Sequence, residues 1–140
     1  MSVYAQFDNA GTAVDVYDTL NLKLAHGAVV SLASTGATPD SHRTYELRIF
    51  GTKGLLMMEL WAGTMACHLS DGQVTRYPDL PEQDIYPFFA PTKNFVDVVL
   101  GCAENGSPGH LGLYAMKIIE AACQSSRTGS VVALKTPSQG

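Results

Sequence analysis

The chain has 140 residues, the length of one ordinary domain, with 46% hydrophobic and only 16% charged residues. Its net charge is −4, and its nine lysines and arginines are scattered, so we expect no nucleic-acid partner. Three cysteines at unrelated spacings indicate free thiols and not a disulfide framework. The start lacks a signal peptide and no apolar run is long enough to cross a membrane, so we expect a cytoplasmic protein without a membrane partner.

The first part of the chain has the alternation of β-strands. From Val14 to Leu24 the even positions are apolar except Asp18, and the odd positions are polar or aromatic. A period of two places one set on a core and the other on a second face. Glycine-containing turns separate the runs and predict successive hairpins. We predict strands over Val3–Phe7, Val14–Leu24, Ala28–Thr35, Thr44–Phe50, Leu55–Leu60, Met65–Leu69, Val74–Tyr77 and Val131–Leu134.

Helical spacing follows a proline-rich connection, whose aromatic residues Tyr86–Phe89 we expect to pin it to the core. One helix is predicted to end at Gly101. A second is predicted to have Ser107 as N-cap and Pro108 as its first residue, with Gly129 just past its end. Its predicted core stripe is Leu111, Ala115, Ile118, Ile119 and Ala122, and a frayed tail is expected over Lys135–Gly140.

A run of strands followed by helices predicts an α+β fold. We expect one domain over residues 1–140, with a largely antiparallel open sheet and both C-terminal helices packed on one face. If Leu20 and Leu22 face the helices, the other face of the sheet carries Tyr17, Thr19, Asn21 and Lys23. That second face is free for self-association.

The motifs of catalysis and cofactor binding are missing. The glycines around Pro108 lack the spacing and the preceding strand of a dinucleotide loop, and no serine has a nucleophile frame. His26, His42, His68 and His110 share no metal-ligand spacing. We therefore predict no catalytic, cofactor-binding or metal-binding residue. His42 with Arg43, before a strand, is the one candidate for meeting a substrate hydroxyl or carboxylate, and a solvated loop is the alternative.

Three stretches carry a resemblance to a known family. They are Gly27–Leu32, Tyr45–Leu60 with its Gly51-Thr52-Lys53-Gly54 turn, and Asn94–Gly129, which includes Ile119-Glu120-Ala121-Ala122 and Ser126-Arg127-Thr128-Gly129. Their order resembles the C-terminal domain of the Gfo/Idh/MocA family of NAD(P)-dependent oxidoreductases. The family's Rossmann domain, its Glu-Lys-Pro lysine and its aspartate- and histidine-bearing helix have no counterpart here. The resemblance places His42 and Arg43 in a substrate-contacting loop, although the family's usual tyrosine is missing.

The resemblance implies two alternative roles. In the first, the chain is the substrate-side and oligomerisation domain of an oxidoreductase acting on a sugar, inositol or related polyol. The full-length parent then uses NAD(P), bound by a Rossmann domain in the same or another chain, and this chain alone is inactive. In the second, the chain is a free-standing binding or scaffold module derived from such an enzyme, without hydride transfer.

Overall fold

The computed structural model describes residues 1–134, so the tail predicted at Lys135–Gly140 lies outside the described residues. The strands are β1 (Ser2–Asp8), β2 (Tyr17–Lys23), β3 (Val29–Thr35), β4 (Glu46–Gly51), β5 (Gly54–Glu59), β6 (Thr64–Leu69), β7 (Val74–Arg76) and β8 (Val132–Ala133). The helices are α1 (Glu82–Ile85), α2 (Ala90–Val99) and α3 (Gly109–Thr128), with a short 3₁₀ turn at Asp40–His42.

The described strands form two open antiparallel sheets of four strands each. The first sheet has the order β3-β2-β1-β8 and the second has the order β4-β5-β6-β7. They lie in two compact units: the first contains Met1–Thr38 and the chain from Gly106 onward, and the second contains Pro39–Asn105. The predicted α+β class with open antiparallel strands is confirmed, although the strands divide between two sheets. The single domain over residues 1–140 stays a prediction.

The register of the first sheet confirms the two predicted faces of β2. Strand β2 pairs with β1 and β3 along its whole length, with Leu20 opposite Ala5 and Leu32. Leu20 and Leu22 pack with Val3 and Ala5 against α3. The alternate residues lie on the other side of the sheet and are exposed. We call this surface the open face; on β2 it consists of Tyr17, Thr19, Asn21 and Lys23.

Helix α3 packs on the first sheet through small residues near its C-terminal end. Ala121 and Ala122 are buried against Val3 and Ala5. Of the other residues of the predicted core stripe, Ile118 is half-buried, whereas Ala115 is exposed, Leu111 is 54% exposed and Ile119 is 52% exposed. The assignment of Leu111, Ala115 and Ile119 to the core was wrong, because the buried contact of α3 with the first sheet is made near the C-terminal end of the helix, at Ala121, Ala122 and Ser125.

The two predicted helices belong to different units, α2 to the second and α3 to the first. The start of α3 also differs by one residue from the prediction. Pro108 occupies the N-cap position with extended backbone angles, and the helix begins at Gly109. Its end is as predicted: Gly129 has a left-handed φ of 64° and donates its N–H to the Ser125 carbonyl.

Two serine hydroxyls of α3 complete the hydrogen bonding of β1. Strand β8 pairs with the first residues of β1 only. Farther along β1, the Ala5 N–H donates to Ser125 Oγ at 3.0 Å and the Phe7 N–H donates to Ser126 Oγ at 2.9 Å. Ser125 is fully buried and donates its own proton to the Ser130 carbonyl at 2.7 Å. The hydroxyls therefore take the place of a neighbouring strand.

Among the described residues the three cysteines are free; Cys67 and Cys123 are half-buried and Cys102 is exposed. Within residues 1–134, no helix combines the length and the apolar character needed to span a bilayer.

We predict that Ser125→Ala destabilises the fold by about 1–3 kcal/mol, because it leaves the buried Ala5 N–H and the Ser130 carbonyl without a partner. Urea denaturation followed by circular dichroism measures this loss. Gln124→Ala is the matched control, since Gln124 is the exposed neighbour on the same helix. Equal midpoints for the two variants would contradict the bridging role of the hydroxyl.

Candidate functional site

A groove of about 510 Å³ lies on the second sheet, entirely within the second unit. All four strands and the chain after β7 contribute to its walls. Acidic, basic and apolar side chains alternate around it. The lining residues are Glu46, Arg48, Met57, Met58, Glu59, Thr64, Met65, Ala66, His68, Arg76, Tyr77 and Asp79.

Strand register produces the mixed character of this groove. Arg48 lies opposite Met57, Met57 opposite Ala66, and Ala66 opposite Arg76. Directly opposite residues share one face of a sheet, so two arginines flank a small apolar centre. Glu59 lies in the neighbouring row of the same face. Leu47, Ile49, Leu56 and Cys67 alternate with these residues and belong to the opposite face.

Glu46 holds the side chain of Arg48 in a defined position. Nη2 of Arg48 lies 3.1 Å from Oε1 and 3.0 Å from Oε2 of Glu46, two residues earlier on the same strand. Both side chains are about half exposed. Such a surface pair contributes at most about 1 kcal/mol to stability, so its effect here is to orient the guanidinium along the groove.

Glu59 fixes the turn between β5 and β6. Its carboxylate accepts the N–H of Tyr45 at 2.7 Å and also the N–H of Ala62. The Tyr45 hydrogen bond is the largest influence that lowers the pKa of Glu59, and the Ala62 and Trp61 amides act in the same direction against partial desolvation. The carboxylate is therefore held in its charged form while it organises the turn.

Gly63 is required in this turn by its backbone and its neighbours. Its φ is 66°, a conformation that favours glycine, and a Cβ there would lie 2.8 Å from Cγ1 of Ile85. Leu80 donates its N–H to the Gly63 carbonyl at 3.1 Å. The turn is thereby fastened to the connection that follows β7.

The same turn presents Trp61 to an aromatic cluster. The ring of Trp61 lies 5.6 Å from that of Tyr86, which lies 4.8 Å from that of Phe88 in an edge-to-face arrangement. The three side chains are 49%, 56% and 76% exposed, and Phe89 is more exposed still. The expectation that Tyr86–Phe89 pin the connection to the core was wrong, because these aromatics pack on one another at the surface.

We predict that Glu59→Gln destabilises the fold by about 1 kcal/mol at neutral pH, since a neutral amide cannot accept both hydrogen bonds as strongly. A carboxyl whose folded pKa is lowered contributes stability above its unfolded pKa, and this contribution disappears as the pH falls through the folded pKa. The deficit of Glu59→Gln should therefore be full at pH 7 and shrink steadily below about pH 4.

Chemical denaturation at several pH values checks this dependence. Glu46→Gln is the control, because Glu46 is an exposed carboxylate of the same sheet that pairs only weakly with Arg48. A deficit that does not change between neutral and acidic pH would show that the charge of Glu59 is irrelevant to the turn.

The groove combines hydrogen-bond donors and acceptors. Glu46, Glu59 and Asp79 accept, Arg48 and Arg76 donate, and the imidazole and hydroxyl groups of the lining do both. The lining thus carries three carboxylates and two guanidiniums. In the part of the chain that the structure describes, no three His, Cys, Asp or Glu residues form a group that could hold a metal ion.

The sequence-predicted residues lie outside this groove. His42 ends the 3₁₀ turn before β4, and its Nδ1 lies 2.8 Å from the Ser41 hydroxyl. Arg43 follows in extended conformation, and both side chains are exposed. Their assignment to substrate binding stays a prediction. The alternation of polar and apolar residues in β4 is the sequence signal that indicates the position of Arg48. That Arg76 lies on the same face follows only from the pairing of β4 with β5, β5 with β6 and β6 with β7.

Asp18, the exception in the alternation of β2, lies in the row of Phe7 and Ser34 on the helix-facing side of the first sheet. Its Oδ1 is buried and has no hydrogen-bond partner within the described residues. Desolvation raises the pKa of Asp18, and the carboxylate of Asp15 raises it further by repulsion and by hydrogen bonding. The carboxyl group of Asp18 lies among mostly apolar side chains on this face.

The family is established by a match over almost the whole chain. The family model for the C-terminal α/β domain of the Gfo/Idh/MocA oxidoreductase family matches residues 2–134. The chain therefore belongs to this family, and the region it represents is the family's C-terminal domain. No curated protein matches the sequence.

Solved structures agree with this fold at low sequence identity. An oxidoreductase domain protein from Kribbella flavida superposes with a TM-score of 0.81 at 12% identity, covering 96% of this chain and 44% of that one. The aldose-aldose oxidoreductase from Caulobacter crescentus, complexed with glycerol, gives 0.76 at 21% identity over 95% and 41%. The WlbA dehydrogenase from Bordetella pertussis, with NADH and UDP-GlcNAcA, gives 0.73 at 20% over 96% and 42%. The chain thus spans about two fifths of the length of these proteins.

Proposed function

We propose that this chain is the substrate-side and oligomerisation domain of an NAD(P)-dependent oxidoreductase whose substrate is a sugar, inositol or related polyol. The observation that carries the proposal is the groove of the second sheet, in which two guanidiniums and three carboxylates surround apolar side chains. Membership in the oxidoreductase family supports the reaction class. The names of two similar structures, which mention an aldose oxidoreductase and a UDP-sugar acid, support the substrate class.

The chemistry of a polyol matches this groove. Neighbouring hydroxyls act as donor and acceptor together, so each can bond to a carboxylate and to a guanidinium at the same time. Arg48 is already oriented by Glu46 and loses little freedom on binding. The C–H side of a sugar ring can rest on Met57 and Ala66, which lie between the two arginines. His42 and Arg43, in the turn before β4, are proposed as additional contacts.

The nicotinamide cofactor is assigned to a Rossmann domain in the same or another polypeptide. The sequence of this chain has no glycine-rich loop between a strand and a helix to cradle a pyrophosphate. The similar structure of the WlbA dehydrogenase, named as a complex with NADH, has more than twice the length spanned by this chain. Hydride transfer therefore requires both parts together.

We predict that the 140-residue chain binds myo-inositol or glucose weakly and does not bind NADH. Chemical-shift titration with each compound measures both. Arg76→Met should weaken polyol binding at least about tenfold, the effect of losing roughly 1.4 kcal/mol of charged hydrogen bonding. Lys93→Met is the control, because it removes one exposed positive charge that does not line the groove. Saturable binding of NADH, or polyol binding that is equal in both variants, would contradict the proposal.

We also propose that the open face of the first sheet mediates self-association. Its β2 residues include the β-favouring Tyr17 and Thr19 and one charge, Lys23, and α3 packs on the opposite side of the sheet. A symmetric pair buries the same patch twice, so Thr19→Arg should place two like charges near each other and weaken association through the open face without unfolding the chain. Sedimentation across concentrations measures the shift, and Thr52→Arg, in an exposed turn of the second unit, is the control. A chain that is monomeric at high micromolar concentration would rule out this surface.

A further inference from the structure

Among the described residues, strand β3 forms an edge of the first sheet, and nothing in its sequence protects that edge. An edge strand presents unpaired backbone N–H and C=O groups to any other extended chain. All seven residues of Val29–Thr35 are exposed, and the sequence Val-Val-Ser-Leu-Ala-Ser-Thr contains neither a charge nor a proline. Its first residue, Val29, is 78% exposed.

The other sheet edges of the described chain have the features that usually block pairing. Strand β8 has only two residues and β7 only three, one of them Arg76. Strand β4 carries Glu46 and Arg48, which are charged and paired with each other. Short edge strands and charged side chains are the common means by which proteins prevent strand addition. The long, uncharged β3 is therefore the exception.

Two hydrogen bonds beyond the ends of β2 and β3 establish which groups of β3 point outward. The Leu24 N–H donates to the Ala28 carbonyl at 2.8 Å, and the Gly36 N–H donates to the Val16 carbonyl at 2.9 Å. In an antiparallel pair the hydrogen-bonded positions alternate. The even residues of β3 therefore bond to β2, and the odd residues direct their N–H and C=O groups to the outer edge. The odd residues are Val29, Ser31, Ala33 and Thr35.

We propose that this edge pairs with the same edge of a second copy of the chain, as two antiparallel strands related by a two-fold axis at Leu32. This surface is distinct from the open face and goes beyond the proposed function. The seven-residue length supplies four outward positions, which in register exchange about eight backbone hydrogen bonds, two for each opposed pair.

The side chains of β3 are compatible with this register. Val29 lies opposite Thr35 of the partner subunit, so two β-branched side chains are paired. Ser31 lies opposite Ala33 of the partner subunit, so two small side chains are paired. The two copies of Leu32 meet on the axis, on the helix-facing side of the sheet, where Leu32 is now 45% exposed. No like charges are opposed, because the strand has no charge. These features favour a second copy over an unrelated strand.

Amide hydrogen exchange of the unmodified 140-residue chain, measured by NMR at low and high protein concentration, tests the pairing. Exchange at Val29, Ser31, Ala33 and Thr35 should slow about tenfold when nine tenths of the chains are paired. The even amides should be protected at every concentration by β2. This alternation is specific to edge pairing, since association through the open face leaves the outward amides unbonded. Odd amides whose exchange is independent of concentration, whether fast or slow, would overturn the proposal.

Two variants at position 33 separate the contribution of the backbone N–H from that of the side chain. Ala33→Pro removes an outward N–H without breaking a hydrogen bond to β2, and Ala33→Thr changes the side chain while keeping the N–H. In sedimentation at matched concentration, with Thr19→Arg present in every chain to weaken the open face, Ala33→Pro should lower the associated fraction at least tenfold, and Ala33→Thr should resemble the chain that carries Thr19→Arg alone. Equal association of the two variants would refute the pairing. If Ala33→Pro fails to fold, the exchange measurement on the unmodified chain decides.

Discussion

Strand β1 lies between two neighbours and contains the buried residues Val3 and Ala5, so its backbone groups must find hydrogen-bond partners on both sides. The first unit depends on this constraint. Val3 and Ala5 are almost fully removed from solvent, where an unpaired N–H would be costly. Strand β2 satisfies one side along the whole strand, whereas β8 satisfies only the beginning of the other. The hydroxyls of Ser125 and Ser126 supply the remainder. A side-chain hydroxyl is short, so α3 must lie close to the sheet, and the buried positions beside the serines are alanines for that reason.

This close contact explains why the helix was predicted and its core residues were not. Helical periodicity correctly indicated α3, including its end at Gly129. Hydrophobicity then favoured Leu111 and Ile119 as core residues, although both are about half exposed. The sequence contains Ser125-Ser126, but nothing in its local pattern reveals that β1, about 120 residues away, has no neighbouring strand on one side at Ala5 and Phe7. The spacing between helix and sheet is set by that long-range requirement.

Period-two alternation was reliable within a strand and uninformative between strands. It assigned both faces of β2, because side chains on a strand point to opposite sides whatever lies next to it. It did not indicate the division into two sheets, since every hairpin signal is local. Prediction of the groove is limited in the same way. The alternation in β4 places Glu46 and Arg48 on one face, but only the register of three strand pairs shows that Arg76 lies on that face too. His42 and Arg43 were chosen from a loop position, and the pattern around them contains no information about the groove.

The few charged residues of this chain are distributed unevenly between the two sheets. With 16% charged residues, charge cannot cover every exposed strand. Glu46, Arg48, Glu59 and Arg76 lie together on one face of the second sheet, where two of the charged strands are also its edges. One arrangement thus gives that sheet a polar groove and edges that resist strand addition. The first sheet lacks this protection at β3, and its open face carries little charge. The two sheets therefore differ in how charge is distributed: the second has a polar groove and charged edge strands, and the first has an uncharged edge strand at β3.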